Sequence, residues 1–175
     1  MNAQHSSRSD SWGTPRHVID LVRTVLVTID FDPASSAEFN DLVKANSYLT
    51  AEDDGLSADW KHGSVYCNPP GGKRLGKSMT QLFWSRLMSH LKTGAMTHAI
   101  FMAFSLEAMQ STQGKGVPSI AEFMFCIPSK RLAFVSPGGL PGLAPAHSNC
   151  IVYVPGSIDR SKRFQQEFEK LGVVR

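Results

Sequence analysis

Leu26 to Glu38 reads LVTIDFDPASSAE, and its punctuation decides the fold class. Leu26 to Phe31 is a mostly apolar run rich in β-branched residues, which reads as a buried strand. It stops at Asp32-Pro33, because proline cannot donate to a strand ladder. Ser35 followed by Glu38 is a capping box, which starts a short helix running to about Ala45. Upstream, Thr14-Pro15 opens a helix, with Thr14 as cap and proline at the first helical position. Val18, Leu21, Val22 and Val25 give that helix one apolar face. Downstream, Tyr48 to Gly63 is turn-rich with one short strand, and Ser64 to Cys67 is a second buried strand running into Asn68-Pro69-Pro70. A helix follows from Ser78 to Lys92, ended by Gly94, and His98 to Phe104 is a third apolar strand. Alternating strands and helices predict an α/β architecture with a mostly parallel sheet. The second half changes character: Glu122–Ile127, Leu132–Val135 and Asn149–Val154 read as strands around a Gly/Pro-rich stretch (SPGGLPGLAPAHS), and Ser157–Leu171 as a closing helix.

Composition bounds the function classes. The chain has 175 residues, 42% hydrophobic and 19% charged, the balance of one ordinary globular domain rather than a disordered segment. Residues 1–10 read as a frayed polar tail and 11–175 as the domain. No apolar run approaches the ~20 residues of a membrane span, and the N-terminus lacks the apolar core of a secretory signal. Cys67, Cys126 and Cys150 are widely spaced without a CxxC pair. That fits free thiols in a reducing cytoplasm, and the histidines share no ligand spacing, so no metal site is expected. The formal charge of +3 permits nucleic-acid binding without demonstrating it. Its placement says more: Lys73, Arg74 and Lys77 share one glycine-rich loop, and Lys130-Arg131 precede an expected strand, whereas Arg160, Lys162 and Arg163 read as a solvated helix face.

In open α/β sheets, ligands bind outside the carboxyl ends of the strands. Three segments fall there: Asp30-Phe31-Asp32-Pro33, Asn68-Pro69-Pro70 and Phe104-Ser105. Asn-Pro-Pro suits transfer to an exocyclic aromatic amine, a weak nucleophile whose lone pair is delocalised into its ring. Two acceptors, the Asn68 side-chain carbonyl and the Pro69 carbonyl, can take both N–H protons and draw the nitrogen toward tetrahedral geometry, with the prolines fixing the backbone that aims them. Alone, the same tripeptide reads more simply as a turn. The Asp30 and Asp32 carboxylates suit a cationic amino group or a ribose. The helix opening at Trp12-Gly13-Thr14-Pro15 suits a carboxylate, and Asp53-Asp54-Gly55-Leu56 the edge of a base. S-adenosylmethionine needs that set of sites.

In this order, Trp12-x-Thr14-Pro15, Asp30-Phe31-Asp32-Pro33-Ala34, Asp54-Gly55-Leu56, Trp60 and Asn68-Pro69-Pro70 resemble the phage DNA N-6-adenine methyltransferases. Ile127 to Phe134 and Pro145 to Asn149 are similar to later segments of that family, so the resemblance spans roughly Ser11 to Val154. It implies a compact Rossmann-like domain that uses S-adenosylmethionine on adenine in DNA, in the cytoplasm of a bacterial host, with a phage or prophage origin. By position, Trp12, Thr14, Pro15, Asp30, Asp32, Pro33, Ala34 and Asp54 would hold the cofactor. Asn68, Pro69 and Pro70 would hold the target amine of a flipped nucleotide. Gly71, Gly72, Lys73, Arg74, Lys77 and Ser78, with Arg131, His147 and Asn149, are the expected DNA contacts, although structural roles are the plainer reading of His147 and Asn149.

The sequence departs from the family at Gly71, where an aromatic usually follows the two prolines. Another aromatic (Phe104, Trp12 or Trp84) can supply the stacking face, the pocket can admit a different base, or catalysis can have been lost in a relative that binds cofactor or DNA. A rival motif occupies the same loop: Gly71 to Ser78 (GGKRLGKS) matches the phosphate-loop pattern GxxxxGK[ST] between a strand and a helix. Against nucleotide binding there, two prolines precede the first glycine, and no later strand ends in an aspartate suited to magnesium.

Overall fold

The computed structural model describes residues 12–136 and 148–175. Helices α1 (Arg16–Leu26), α2 (Ala37–Val43), α3 (Met79–Lys92), α4 (Glu107–Ser111) and α5 (Ser161–Phe168) flank a central sheet. The sheet has seven strands in the order β2-β1-β3-β6-β8-β7-β9. These are β1 (Phe31–Asp32), β2 (Ser47–Tyr48), β3 (Gly63–Cys67), β6 (Met96–Ala103), β7 (Met124–Pro128), β8 (Cys150–Pro155) and β9 (Gly172–Val174). A separate hairpin pairs β4 (Lys73–Arg74) with β5 (Lys77–Ser78). Strands β2, β1, β3 and β6 pair in parallel, whereas β8 is antiparallel to β6 and β7, and β9 to β7. Five strands therefore point one way, and the expected α/β, mostly parallel, Rossmann-like sheet is present.

Strand alternation builds two cores. On β3, β6 and β8, Tyr66, Ile100, Met102, Ile151 and Tyr153 pack toward α1 and α5, beside Val18, Ile19, Val22, Phe164 and Phe168. Their neighbours Val65, Cys67, Ala99, Phe101, Val152 and Val154 pack toward α3, beside Phe83, Trp84, Leu87 and Met88. This is the period-2 pattern of a sheet covered on both faces. All three cysteines are free and buried, and burial pushes the thiols of Cys126 and Cys150 up to about 12, keeping them protonated.

Several elements differ from the sequence reading. The run from Leu26 to Phe31 is not one strand. Val18, Ile19, Val22, Val25 and Leu26 continue a helical stripe. The chain then turns at Val27, which holds a left-handed φ of 69°, and only Phe31–Asp32 joins the sheet. Helix α2 is capped one residue later than expected, by Ser36, whose Oγ accepts from the Phe39 amide at 3.2 Å. Leu132–Val135 forms no strand. Leu132 and Phe134 are buried in the first core, and the segment's one sheet-like contact is a bridge in which Val135 and Gly13 exchange backbone hydrogen bonds of 2.8 Å. The closing helix is shorter than expected, and Gly172–Val174 becomes an edge strand on β7. There a glycine is required, because a Cβ at Gly172 would lie 2.0 Å from the Ile127 carbonyl oxygen.

The turn after β1 is also tightly packed. A Cβ on Gly55 would lie 2.0 Å from the Pro33 carbonyl oxygen and 3.2 Å from the Phe83 ring. Gly55→Ala is therefore expected to lower unfolding free energy by about 1–3 kcal/mol, read from urea denaturation, as overpacking does.

Candidate active site

From β1 the chain moves outward to β2, then returns to place β3 on the opposite side of β1. The crevice beyond the carboxyl ends of β1 and β3 is thus a topological switch point, where open α/β sheets bind ligands. A cleft enclosing about 420 Å³, the open solvent at its mouth included, lies there.

One wall comes from the segment before α1. Trp12 is half-buried, and Gly13 and Thr14 are buried. Thr14 does not cap the helix, nor is Pro15 its first residue: α1 starts at Arg16, with Pro15 at the N-cap and no side-chain cap. The Thr14 hydroxyl instead lies 2.5 Å from the Tyr66 hydroxyl across the cleft floor. A second wall is the turn from β1 into α2, with Asp32, Ala34, Ser35 and Ser36, backed by Phe39 and Val43 one helical turn apart. The third is the end of β3, where Tyr66 and Asn68 project to the same side, followed by Pro70.

Asp32 is the acid of the cleft, 2% exposed. Its Oδ1 accepts from the Ala34 amide at 3.0 Å, yet burial outweighs that bond and raises its carboxyl from 3.8 to about 7. Burial, together with the nearby Asp32 and despite the bond to Thr14, pushes the Tyr66 phenol well above its ordinary value, so it stays neutral. Among the described residues, no lysine or arginine lines the cleft. The lining therefore favours a cationic or neutral ligand and disfavours a polyphosphate.

Asn68 faces two ways. Its Nδ2 donates to the Trp12 carbonyl at 2.7 Å, which fixes the amide orientation. Its Oδ1 is buried and has no hydrogen-bond partner among the described residues. A buried acceptor left open costs free energy unless a ligand fills it.

Trp12, Thr14, Asp32, Ala34, Asn68 and Pro70 are thus brought together, with Pro15, Pro33 and Pro69 buried next to them in the chain. Asp30 is elsewhere. Its Oδ2 accepts from the Ser64 amide and hydroxyl, both at 2.9 Å, and its Oδ1 from Asn46, which ties β1 to the amino end of β3. Asp54 also lies off the cleft, accepting from Arg74 at 2.9 Å and Ser57 at 2.7 Å. Asn149 is 3% exposed. It accepts from the Leu132 amide and donates to the Phe104 carbonyl, a clamp between the end of β6 and the segment after β7. Arg131 is exposed, and His147 lies outside the described residues.

Gly71 to Ser78 does not form a phosphate cradle. Its backbone is spent on the β4–β5 hairpin, with Lys73 opposite Ser78 and Arg74 opposite Lys77. The Met79 amide donates to the Gly72 carbonyl, and the Ser78 hydroxyl caps α3 by accepting from Gln81 at 3.2 Å. Of the aromatics available to replace the one missing at Gly71, Trp84 is fully buried in the core and donates to the Pro118 carbonyl. Phe104 stacks on Phe134 with centroids 4.7 Å apart. Trp12 lines the cleft.

Tyr66, Phe39 and Val43 escaped the sequence reading. Tyr66 was detectable, since a residue two before Asn68 on one strand shares its face. Phe39 and Val43 carry no chemical signature and were not.

No curated protein and no solved structure matches the chain. A family model does, over residues 2–139, a span that holds the Trp12 segment, the Asp32 turn and Asn68-Pro69-Pro70: the chain belongs to the DNA N-6-adenine-methyltransferase (Dam) family.

Proposed function

We propose that the cleft binds S-adenosylmethionine and that Asn68, Pro69 and Pro70 receive an adenine swung out of DNA, to be methylated on N6. The observation that supports this reading is the buried Asn68 Oδ1, without a partner among the described residues, an acceptor held open where an amine donor is needed. The cleft fits the cofactor chemically. Asp32 offers a carboxylate to its ammonium or ribose, the apolar face of Phe39 and Val43 backs the adenosine, and a lining without lysine or arginine among the described residues suits a ligand with two cationic centres. When bound, the cofactor would supply an electrophilic methyl group on a cationic sulfur, and the sulfur–methyl bond that breaks would leave a neutral thioether.

The chain's own residues then act on the amine. Asn68 Oδ1 accepts one N6–H and the Pro69 carbonyl the other. This pulls lone-pair density out of the purine ring and orients it toward the methyl carbon. As the N–C bond forms, N6 becomes cationic and its surplus proton turns acidic enough to leave to water, so no tuned general base is required. Trp12, whose carbonyl anchors Asn68, supplies the aromatic surface that Gly71 lacks. A paired adenine cannot reach the cleft, so the nucleotide rotates out of the helix. DNA as substrate places the enzyme in the bacterial cytoplasm, and the resemblance to phage enzymes supports a phage or prophage origin and modification at a defined sequence.

The direct test incubates the protein with S-adenosylmethionine and unmethylated DNA, and digests the DNA for mass spectrometry. N6-methyldeoxyadenosine is expected; its absence, with cofactor binding seen by calorimetry, would leave a cofactor-binding relative without this activity. Titration with ATP and magnesium should show no binding.

Lys73 and Lys77 are exposed beside the site and suit DNA phosphates. Replacing both with alanine is expected to reduce the slope of log K against log salt by about 1.8, since each lost phosphate contact removes about 0.9. An unchanged slope would place the DNA on another face.

A further inference from the structure

Leu75 is an anomaly in two respects. It is 95% exposed, and its φ of 50° lies in the left-handed region. It shares the two-residue turn of the β4–β5 hairpin with Gly76, at φ 76°. Such a turn needs positive φ at both central residues, and Asn-Gly or Asp-Gly fills it best. A leucine there is unfavourable for the backbone and also presents an apolar side chain to water. An outlier of that kind calls for a function.

Its surroundings say which. The hairpin begins two residues after Asn68-Pro69-Pro70, so the chain runs into it straight from the residues that would take the target base. Its base is fixed by the bond from Met79 to Gly72, and its flank by the ion pair of Arg74 with Asp54 at 2.9 Å. Lys73 and Lys77 on its two strands are exposed. A braced, cation-flanked arm with an apolar point matches the wedges that proteins push between base steps. Extruding a base leaves a gap in the stack that such a side chain can fill. We propose that Leu75 enters duplex DNA as a wedge and occupies the space vacated by the extruded nucleotide. The inference rests on the proposed base-extruding reaction, and it gives the hairpin a task beyond gripping phosphates.

Leu75→Asn is the informative variant, because it improves the turn while removing the wedge; its denaturation midpoint should not fall. Two duplexes carrying a site that the wild-type protein methylates are compared. One is fully paired, and the other has an abasic site opposite the target adenine, so that little pairing opposes extrusion. The variant is expected to lose about tenfold or more in kcat/KM on the paired duplex and less than about threefold on the abasic one. Equal rates for both proteins on the paired duplex, or equal losses on both duplexes, overturn the proposal.

A second readout does not depend on methyl transfer. In mixed-sequence duplex containing 2-aminopurine, wild-type protein should brighten the fluorescence by unstacking the base, and Leu75→Asn should not. If the wild-type protein methylates no DNA but the brightening still requires Leu75, the methylation reading falls and the wedge stands. If the wild-type protein gives no brightening, the wedge falls whatever the methylation result.

Discussion

Asn68→Ala is expected to remove methyl transfer almost entirely while leaving S-adenosylmethionine affinity within a few-fold. The reasoning rests on the division of labour within one side chain. Its Nδ2 holds the Trp12 carbonyl at 2.7 Å, and its Oδ1 waits unpaired. Truncation deletes one ordinary hydrogen bond, about 1 kcal/mol of stability, so the protein should stay folded. It also deletes the acceptor that strengthens its hold as N6 becomes cationic. Interactions that grow in the transition state are worth about 10²–10³ in kcat when one partner is removed. Single-turnover transfer to DNA, with calorimetry of the cofactor alongside, separates the two effects. Transfer at the wild-type rate would sink the role given to Asn68.

Asp32→Asn should uncouple stability from binding. Burial raises the carboxyl from 3.8 to about 7, so the native state retains a proton that the unfolded chain has released across that window. Asp32 therefore favours folding below about pH 4, and this contribution is lost as pH rises through about 7. Above pH 7 the folded protein carries a buried charge at a cost of about 4 kcal/mol, about 1.36 kcal/mol for each pKa unit. Asparagine keeps an acceptor for the Ala34 amide but cannot ionise. The variant is expected to be about 2–4 kcal/mol more stable than wild type at pH 8, with no such advantage at pH 4. Its cofactor affinity should fall about 10- to 100-fold at pH 8, the worth of a charge-assisted hydrogen bond. Wild-type affinity should climb as pH rises toward 7 and level off above it, and the variant's should be flat. A variant no more stable than wild type at pH 8 would show that the buried carboxylate is not strained. Unchanged affinity would move the cofactor away from Asp32.

Where the chemistry of a residue and its place in the pattern agree, the sequence was legible. Asn68-Pro69-Pro70 after a buried strand, Asp32 before a helix start and a helix beginning at about Ser78 all stand where the sequence pattern puts them. Legibility failed where tertiary contacts decide. Asp30 and Asp32 look equivalent in sequence, but Asp30 precedes β1 and is claimed by Ser64, whereas Asp32 ends the strand and lines the cleft. Asp54 and Arg74, twenty residues apart, were assigned to cofactor and DNA, yet they pair with each other. The match of GGKRLGKS to a phosphate loop was a match of letters; Leu75-Gly76 turns it into a hairpin that consumes the backbone groups such a loop needs. The strand expected at Leu132–Val135 is apolar because it packs in the core, not because it joins a ladder.

The sheet order has a consequence for how the protein comes to be made. Strand β8 lies between β6 and β7, although it follows both in sequence. Until residues 150–155 arrive, β6 (MTHAIFMA) presents an unpaired apolar edge, and β7 has no partner on that side. Insertion of a late strand into the middle of a sheet requires closure of a long loop, which slows folding and leaves a sticky intermediate. On the ribosome, the half that carries Asp32 and Asn68 emerges first but must wait, shielded or captured by chaperones, for the strand that completes it. Expression yield is therefore expected to respond more to temperature and chaperone supply than the stability of the finished fold would suggest.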